Sequence, residues 1–285
     1  MEHFLMEVKS LEHTPIQTIL ETLNYAFSDY LIPINFTEAY VNERWTASGV
    51  DYRLSFGVFD QGKLVGFIIH AINKYDGIKV AYNASTGIIP THRRKGLLTQ
   101  LYAKAISALQ ENGIQKSTLE CITKNERAIL AYQKVGFKID RQYHLYTFDW
   151  KKTEIKSEFE IKTNDNFSFD DFKELQNYIP SIENQDHFLE KYKSSLHAIS
   201  VFDESKIVAY LLFHKTSKRI HRLGAKGNNW KTYGSILFTG LPTGNYNIIN
   251  VATENKNIHS FFKTMKFDNY IDQYDMSYDF DFVQS

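Results

Sequence analysis

Apolar and polar positions along the first half of the chain switch repeatedly between the two-residue period of strands and the four-residue steps of helices. Two short helical patterns come early, around Thr14 to Ala26 and Thr37 to Ala47. Strands are predicted near Phe4 to Leu11, Leu54 to Asp60, Leu64 to Ile72, Ile78 to Ile89, Ser117 to Ile122 and Tyr143 to Asp149. The pattern therefore predicts strands punctuated by helices.

The longest helical pattern begins after Gly96. Apolar residues recur at four-residue steps from Leu97 to Leu109 and predict one buried stripe, which ends at the stop signal Asn112-Gly113. The next helix is predicted to open with a capping box, Thr123-Lys-Asn-Glu126, and to end before Gly136. Both helices lie between predicted strands.

Two segments of the first half return in the second half in the same order. VFDQGKLVGFII, Val58 to Ile69, has a near copy in VFDESKIVAYLL, Val201 to Leu212, and each reads as a hairpin. NERAILAYQKVGF, Asn125 to Phe137, aligns without gaps to NKNIHSFFKTMKF, Asn255 to Phe267. One match could be chance similarity between apolar strands. The ordered pair predicts a tandem duplication.

A charged connector, KKTEIKSE, separates the two copies. We therefore predict one domain over residues 1–150 and a second over residues 151–285. With 43% hydrophobic and 23% charged residues, the 285-residue chain is typical of globular proteins.

Charge and cysteine content narrow the classes of partner. Lys plus Arg and Asp plus Glu both number 33, so no overall field favours nucleic acid or an anionic membrane, and neither partner is expected. The start MEHFLMEVKS carries charges where a signal peptide needs an apolar core, and no run approaches the ~18 apolar residues of a membrane span. The single cysteine, Cys121, excludes an intrachain disulfide and fits a cytoplasmic location. The ten histidines form no HExxH pair, so no metal is expected.

The stretch THRRKGLLTQLY places three cations and a glycine at the predicted start of the long helix. A helix N-terminus presents unpaired N–H groups, and Gly96 lets an anion approach the backbone. Arg93, Arg94 and Lys95 would add mobile positive charge suited to a pyrophosphate. The spacing is neither that of a P-loop nor GxGxxG. The alternative is a solvated basic turn.

These residues resemble the GCN5-related N-acetyltransferase (GNAT) family. Its motif Arg/Gln-x-x-Gly-x-Gly/Ala is similar to Arg93-x-x-Gly96, preceded by the apolar Ile88-Ile89-Pro90, although Leu98 replaces the usual small residue. The family's second motif is matched by Asn125, Ala128, Tyr132, Gly136 and Phe137. The resemblance covers roughly Leu5 to Trp150.

The resemblance implies an α/β (α+β) fold, a mixed central β-sheet flanked by helices, duplicated in tandem. It implies an N-acetyltransferase that uses acetyl-CoA as co-substrate, with a small-molecule or peptide amine as acceptor. The cofactor-binding residues that it implies are Ile88, Ile89, Arg93, Arg94, Lys95, Gly96, Leu97, Leu98, Thr99, Asn125 and Ala128. The backbone amide of Ile88 would polarise the thioester carbonyl.

Tyr132 matches the family's tyrosine that gives a proton to the departing thiolate; alternatively it is a core aromatic. Asn125 would bond the pantetheine amides, or cap a helix. The identity of the general base is left open, because the segment AYNASTGII contains no carboxylate and offers only Asn83, Ser85 or Thr86 to position a water. Glu120 is a candidate catalytic residue, and the alternative is a surface strand residue. Asp29, Asp76 and the C-terminal carboxylate are further candidates.

The acceptor is also open. The aromatic stretch Tyr25 to Tyr40, with Asp29 and Glu38, lies where the family walls its acceptor pocket, but simple packing explains it equally well. Small amines, antibiotics, peptide N-termini and lysines all fit.

In the second copy Lys226-Gly227 keeps the loop, whereas Gly224 and Ala225 replace the two arginines. Phe262 replaces Tyr132, and Lys266 replaces Gly136, which predicts an altered helix stop. We therefore expect a degenerate second domain. Besides the acetyltransferase, a CoA-binding regulatory protein without turnover and an interaction scaffold remain alternatives.

Overall fold

The computed structural model describes residues 6–32, 35–75, 77–153 and 155–280. The chain forms two compact units. The first comprises the chain up to Asp140 together with the segment from Asp275 onward, and the second is Arg141–Tyr274. The domain boundary expected after residue 150 stays a prediction; by compactness, the chain divides after Asp140 and again after Tyr274.

The first unit alternates strands and helices as the apolar pattern predicts. Its elements are β1 (Glu7–Ser10), α1 (Ile16–Ala26), α2 (Glu38–Ser48), β2 (Phe56–Asp60), β3 (Lys63–Tyr75), β4 (Ile78–Ile88), α3 (Leu97–Glu111), β5 (Lys116–Ile122) and α4 (Glu126–Lys134). The strand order is β1-β2-β3-β4-β5, and residues 275–279 follow β5. The predicted strand from Phe4 to Leu11 begins outside the described residues.

The long helix α3 confirms the predicted stripe. Its buried residues are Leu97, Leu101, Tyr102, Ala105 and Leu109. Each fully buried large apolar side chain contributes about 1.5–3 kcal/mol relative to exposure, so this stripe anchors the helix to the sheet. The helix starts at Leu97 because Gly96, at φ 72°, takes the left-handed conformation just before it.

The predicted capping box at the start of α4 is wrong. The helix begins at Glu126, and its N-cap is Asn125, whose side chain accepts from the Ala128 N–H at 3.3 Å. Thr123 lies before that cap, so it cannot satisfy the first-turn amides.

The second unit repeats this alternation. Its elements are β6 (Lys138–Trp150), which begins in the first unit, β7 (Glu160–Asn164), α5 (Asp186–Leu189), β8 (Leu196–Asp203), β9 (Lys206–His214), β10 (Arg219–Ala225), α6 (Trp230–Thr239), β11 (Gly244–Ala252), α7 (Lys256–Thr264) and β12 (Asp268–Asp279), which ends in the first unit. The strand order is β12-β6-β11-β10-β9-β8-β7.

The two hairpins of the sequence repeat have the same pairing. In the first, Val58 faces Gly66, and the register then shifts by one residue. In the second, Val201 faces Ala209, followed by the same shift. A shared irregularity is stronger support for duplication than shared apolar character, because a bulge is a specific feature of a strand pair.

The stop signal at the end of helix α7 in the second copy is not altered. Gly136 has a φ of 108°, and Lys266, which replaces it, has a φ of 58°. Lys266 therefore keeps the left-handed stop despite its Cβ, at some cost in backbone strain. Among the described residues, no helix has the length and apolar character needed to span a membrane.

Candidate active site

The parallel strands β4 and β5 of the first unit part before they end. Their pairing joins Val80–Tyr82 to Lys116–Thr118, and residues 83–88 lie beyond it. A bulge near Ala84 accompanies the separation, because the pairing with β3 moves from Ile69–Ser85 to His70–Asn83. We call the gap between the diverging strands β4 and β5 the fork. It leaves one edge of β4 open.

At the end of this open edge of β4, the backbone N–H of Ile88 points into the fork. The Ile89 N–H donates to the Val65 carbonyl on β3 at 3.0 Å. Since successive residues of a strand direct their N–H groups to opposite sides, the Ile88 N–H points away from β3. Ile88 is half-buried and Ile89 is buried.

The start of α3 lies just past this edge and has the features expected of an anion site. No side chain caps the N-terminus at Gly96. A Cβ added to Gly96 would meet nothing within 4 Å, so the space before the first-turn amides of Leu97, Leu98 and Thr99 is open. The side chains of Arg94 and Lys95 are exposed beside it.

Arg93 is not a mobile cation, contrary to expectation. Its guanidinium donates to both carboxylate oxygens of Asp29, at 2.6 and 2.7 Å, and to the carbonyls of Ala26 and Ile88, at 2.8 and 3.0 Å. The bonds from Arg93 hold the pKa of Asp29 below its usual value. Arg93 therefore joins the end of α1 to the end of β4, and any contact with a cofactor stays a prediction.

Tyr132 projects from α4 into a group of aromatic rings. Its ring lies 6.0 Å from that of Tyr102, at 88°, and 5.9 Å from that of Phe137. Burial raises the pKa of the Tyr132 phenol above its usual value, and the nearby Cys121 adds to this, whereas hydrogen bonding to Thr86 and Asn83 lowers it. The phenol therefore stays protonated at neutral pH, as a proton donor must.

Three further polar groups meet around this phenol. The Asn83 Nδ2 donates to the Tyr102 hydroxyl at 2.8 Å, and the Thr86 hydroxyl donates to the Asn83 Oδ1 at 2.8 Å. The sequence suggested Asn83 and Thr86 only as groups that could position water, and it assigned no role to Tyr102. The signal in Tyr102 is a phenol at a core position, because a buried hydroxyl needs a partner.

Asn125 and Tyr30 meet across the same site. The Asn125 carbonyl oxygen caps α4 at Ala128, which confirms the capping role; its pantetheine contact stays a prediction. Burial, with a smaller effect of Cys121, raises the pKa of Tyr30, whereas hydrogen bonding to the Asn125 side chain lowers it.

The candidates for the general base are scattered. Glu120 lies half-buried on β5 beside the buried Cys121, whose thiol pKa burial raises to about 12. Asp29 is engaged by Arg93. Asp76 and the C-terminal carboxylate lie outside the described residues. Ser85 is half-buried on β4. The role of Glu120 stays a prediction.

The segment between α1 and α2 packs through its aromatic rings. Phe27 lies 4.9 Å from Tyr30 and 5.8 Å from Phe36, and Phe36 lies 6.1 Å from Tyr40, measured between ring centroids. Asn24 holds this segment by two hydrogen bonds to the backbone of Phe36, at 2.8 and 3.0 Å. The predicted aromatic wall is thus a packed cluster.

Comparison with known proteins agrees with this geometry. The profile of the Acetyltransferase (GNAT) family matches residues 19–137. N-alpha-acetyltransferase MAK3 of Arabidopsis thaliana is 27% identical over 146 residues, which span 51% of this chain and 67% of that protein. N-alpha-acetyltransferase 30 of Schizosaccharomyces pombe is 28% identical over 94 residues, 32% of this chain and 63% of that protein.

A solved structure extends the similarity beyond the first copy. The tandem GNAT protein from the clavulanic acid biosynthesis pathway has a TM-score of 0.69 at 11% identity, covering 96% of this chain and 98% of its own. At that identity the similarity concerns the fold, and it includes the second copy. Residues 19–137 are therefore similar to the Acetyltransferase (GNAT) family, and the chain as a whole has the fold of a tandem GNAT protein.

Proposed function

We propose that this protein is an N-acetyltransferase that moves the acetyl group of acetyl-CoA to a primary amine. The observation that carries the proposal is the meeting of three features in the first unit: the open edge of β4, the uncapped start of α3 and the protonated phenol of Tyr132. Each matches one part of the donor: the pantetheine arm, the pyrophosphate and the leaving sulfur.

The residues present fit such a donor. First-turn amides of Leu97, Leu98 and Thr99 would bind the pyrophosphate, helped by the exposed Arg94 and Lys95. The open space at Gly96 admits the phosphates close to the backbone. The pantetheine arm would run along Ile88 and Ile89 on one side, with Asn125 and Ala128 on the other.

The reaction places one demand on each group. The Ile88 N–H would donate to the thioester oxygen as negative charge develops there. A C–N bond forms and the C–S bond breaks, while Tyr132 gives its proton to the sulfur. The amine must lose a proton, and we assign its removal to Glu120, directly or through water.

The acceptor is proposed to be an α-amino group at the start of a peptide. The two relatives are named as N-alpha-acetyltransferases, which supports this class. The Arg93 ion pair engages Asp29. The exposed Glu38 and the aromatic cluster around Phe27 and Phe36 are then the groups that this segment offers to a substrate.

Thiol release from acetyl-CoA tests the proposal. The panel contains peptides with a free α-amine, the same peptides with a blocked N-terminus and an internal lysine, and a small polyamine. We expect release only with free α-amines. Release with lysine peptides alone would exclude the α-amine proposal. Calorimetric CoA binding without release with any amine would instead favour a regulatory CoA-binding protein.

A further inference from the structure

The amide of Asn83 lies at the centre of the polar groups around Tyr132. Asn83 is only 7% exposed and lies on β4 immediately beyond the stretch that pairs with β5. Its Nδ2 donates to the Tyr102 hydroxyl, and its Oδ1 accepts from Thr86, both at 2.8 Å. A buried amide with both ends engaged has a fixed orientation.

The bulge near Ala84 brings these side chains together. Residues 83 and 86 are three apart, so in a regular strand they would point to opposite faces of the sheet. The extra residue between Asn83 and Ser85 in the pairing with β3 reverses the alternation. Asn83 and Thr86 consequently share one face, where their hydrogen bond forms.

Two phenols converge on that face. Tyr102 is 1% exposed and its ring stands at 88° to that of Tyr132. For both tyrosines burial is the main cause of a raised pKa, and hydrogen bonds with Asn83 and Thr86 act in the opposite direction. Groups that lower the pKa of a phenol are those that stabilise its phenolate.

We propose that Asn83 is a positioning residue that orients the Tyr132 hydroxyl and stabilises the phenolate left after proton transfer. One N–H of its amide is used by Tyr102, and the second is available to the Tyr132 oxygen. With its oxygen accepting from Asn83, the phenol directs its own proton to the leaving sulfur. An aspartate at this position would compete for that proton.

The inference rests on the proposed function. The S–H bond forms as the Tyr132 O–H bond breaks, the electron pair of the C–S bond stays on sulfur, and the phenolate regains a proton from water at the end of the turnover. Asn83 itself exchanges no proton. Its contribution should therefore vanish when Tyr132 has no hydroxyl.

A double-mutant cycle tests this dependence. Thiol release from acetyl-CoA is measured for Asn83→Ala, Tyr132→Phe and the double variant. Each is assayed with the best peptide of the panel and, without an acceptor, for hydrolysis of acetyl-CoA. We expect Asn83→Ala to lower kcat about 10-fold or more with the KM for acetyl-CoA unchanged. In the Tyr132→Phe background, the same change should alter kcat by less than about 2-fold.

Two further variants separate positioning from folding. Thr86→Val removes the hydroxyl that holds Asn83 and should also lower kcat, whereas Thr86→Ser keeps it and should retain activity; this pair carries the test if Asn83→Ala does not fold. Asn73→Ala is the matched control. Asn73 is a buried asparagine of β3 that donates to the Ser48 carbonyl at 3.1 Å, so its loss should lower Tm and leave kcat unchanged.

The outcomes are distinguishable. Additive effects of Asn83→Ala and Tyr132→Phe, or full kcat in Asn83→Ala, would overturn the positioning role while leaving the proposed function intact. Full kcat in Tyr132→Phe would remove the acid from the proposed function, and the role of Asn83 with it.

Discussion

The two units contain the same fork between parallel strands, and only the first leaves it open. In the first unit β4 and β5 pair at Val80–Tyr82 before they part. In the second, β10 and β11 pair only at Arg219–Ile220 with Asn247–Ile248. The difference lies in what occupies the space beyond the pairing.

In the second unit, the chain itself fills the fork. The Asn177 side chain donates to the Ala225 carbonyl and accepts from the Ala225 N–H, both at 2.9 Å. Asn250 of β11 donates to Ser181 at 3.0 Å, and Ser181 has no exposed surface. The segment from Asn177 to Ser181 thus satisfies strand groups that would otherwise be unpaired.

The starts of the two long helices differ in the same way. No side chain caps α3 at Gly96, whereas Asn229 caps α6 by accepting from the Thr232 N–H at 3.3 Å. Trp230 is buried at the first position of α6 and donates to Asn228 at 2.9 Å. The second copy, which lacks the ligand groups expected of the first, thus supplies its own partners, because open strand edges and helix ends are costly.

The largest effect should come from closing the open helix start. Gly96→Glu places bulk and negative charge before the first-turn amides, and we expect CoA binding to be lost in titration calorimetry, with Kd weaker by at least about 100-fold. Gly227→Glu is the matched control, because Gly227 also has a positive φ, of 59°, and open space at its Cβ. Equal losses in both variants would contradict the assignment of the site to the first unit.

Removing the phenol should have the next largest effect. Tyr132→Phe should lower kcat on the order of 10- to 1,000-fold with CoA affinity little changed, as expected when acid catalysis alone is lost. Tyr146→Phe in the second unit, which loses a bond to His259, is the control and should keep kcat. Unchanged turnover in Tyr132→Phe would return that tyrosine to a packing role.

A substitution in the filled fork of the second unit should change the stability of the protein rather than its activity. Asn177→Ala leaves the buried N–H and C=O of Ala225 without partners, at a cost of about 1–3 kcal/mol in the free energy of unfolding, with faster amide exchange in β10. Asn164→Ala, which removes two comparable bonds to Asn166 at an exposed turn, should cost less.

Titration calorimetry with the full chain should give one CoA bound per chain. A stoichiometry of two would show that the second fork also binds the ligand.

The smallest effect concerns acid stability, in which the units should behave alike. Burial lowers the pKa of His70 in the first unit to about 4 and of His221 in the second to about 3. The unfolded chain takes up protons below about pH 6.5 that the folded state excludes, so stability is complete above this pH and falls as pH decreases toward those values, by at most about 1.4 kcal/mol per pH unit for each histidine. Urea unfolding at pH 7 and 5.5 checks this, and His221→Asn should flatten the pH dependence. An unchanged slope in that variant would exclude His221 as a source.

The elements and the candidate site were predictable to different degrees. The stripe of α3, the hairpins and the repeat follow from periods of two and four residues, which local sequence carries directly. The cap of α4 was missed by two residues, because Thr123 and Asn125 are both good N-caps and only the geometry of the preceding turn chooses between them. The left-handed Lys266 was missed because glycine is the usual signal at such a stop.

Local sequence was sufficient for the order of strands and helices, the duplication and the family motifs, since each depends on residues close together in the chain. Packing between distant segments alone decided that Asp29 engages Arg93, that Asn83 bonds to Tyr102, and that the segment from Asn177 fills the second fork. The physical reason is that a buried polar group bonds to whichever partner the fold brings within reach, and that partner is remote in sequence.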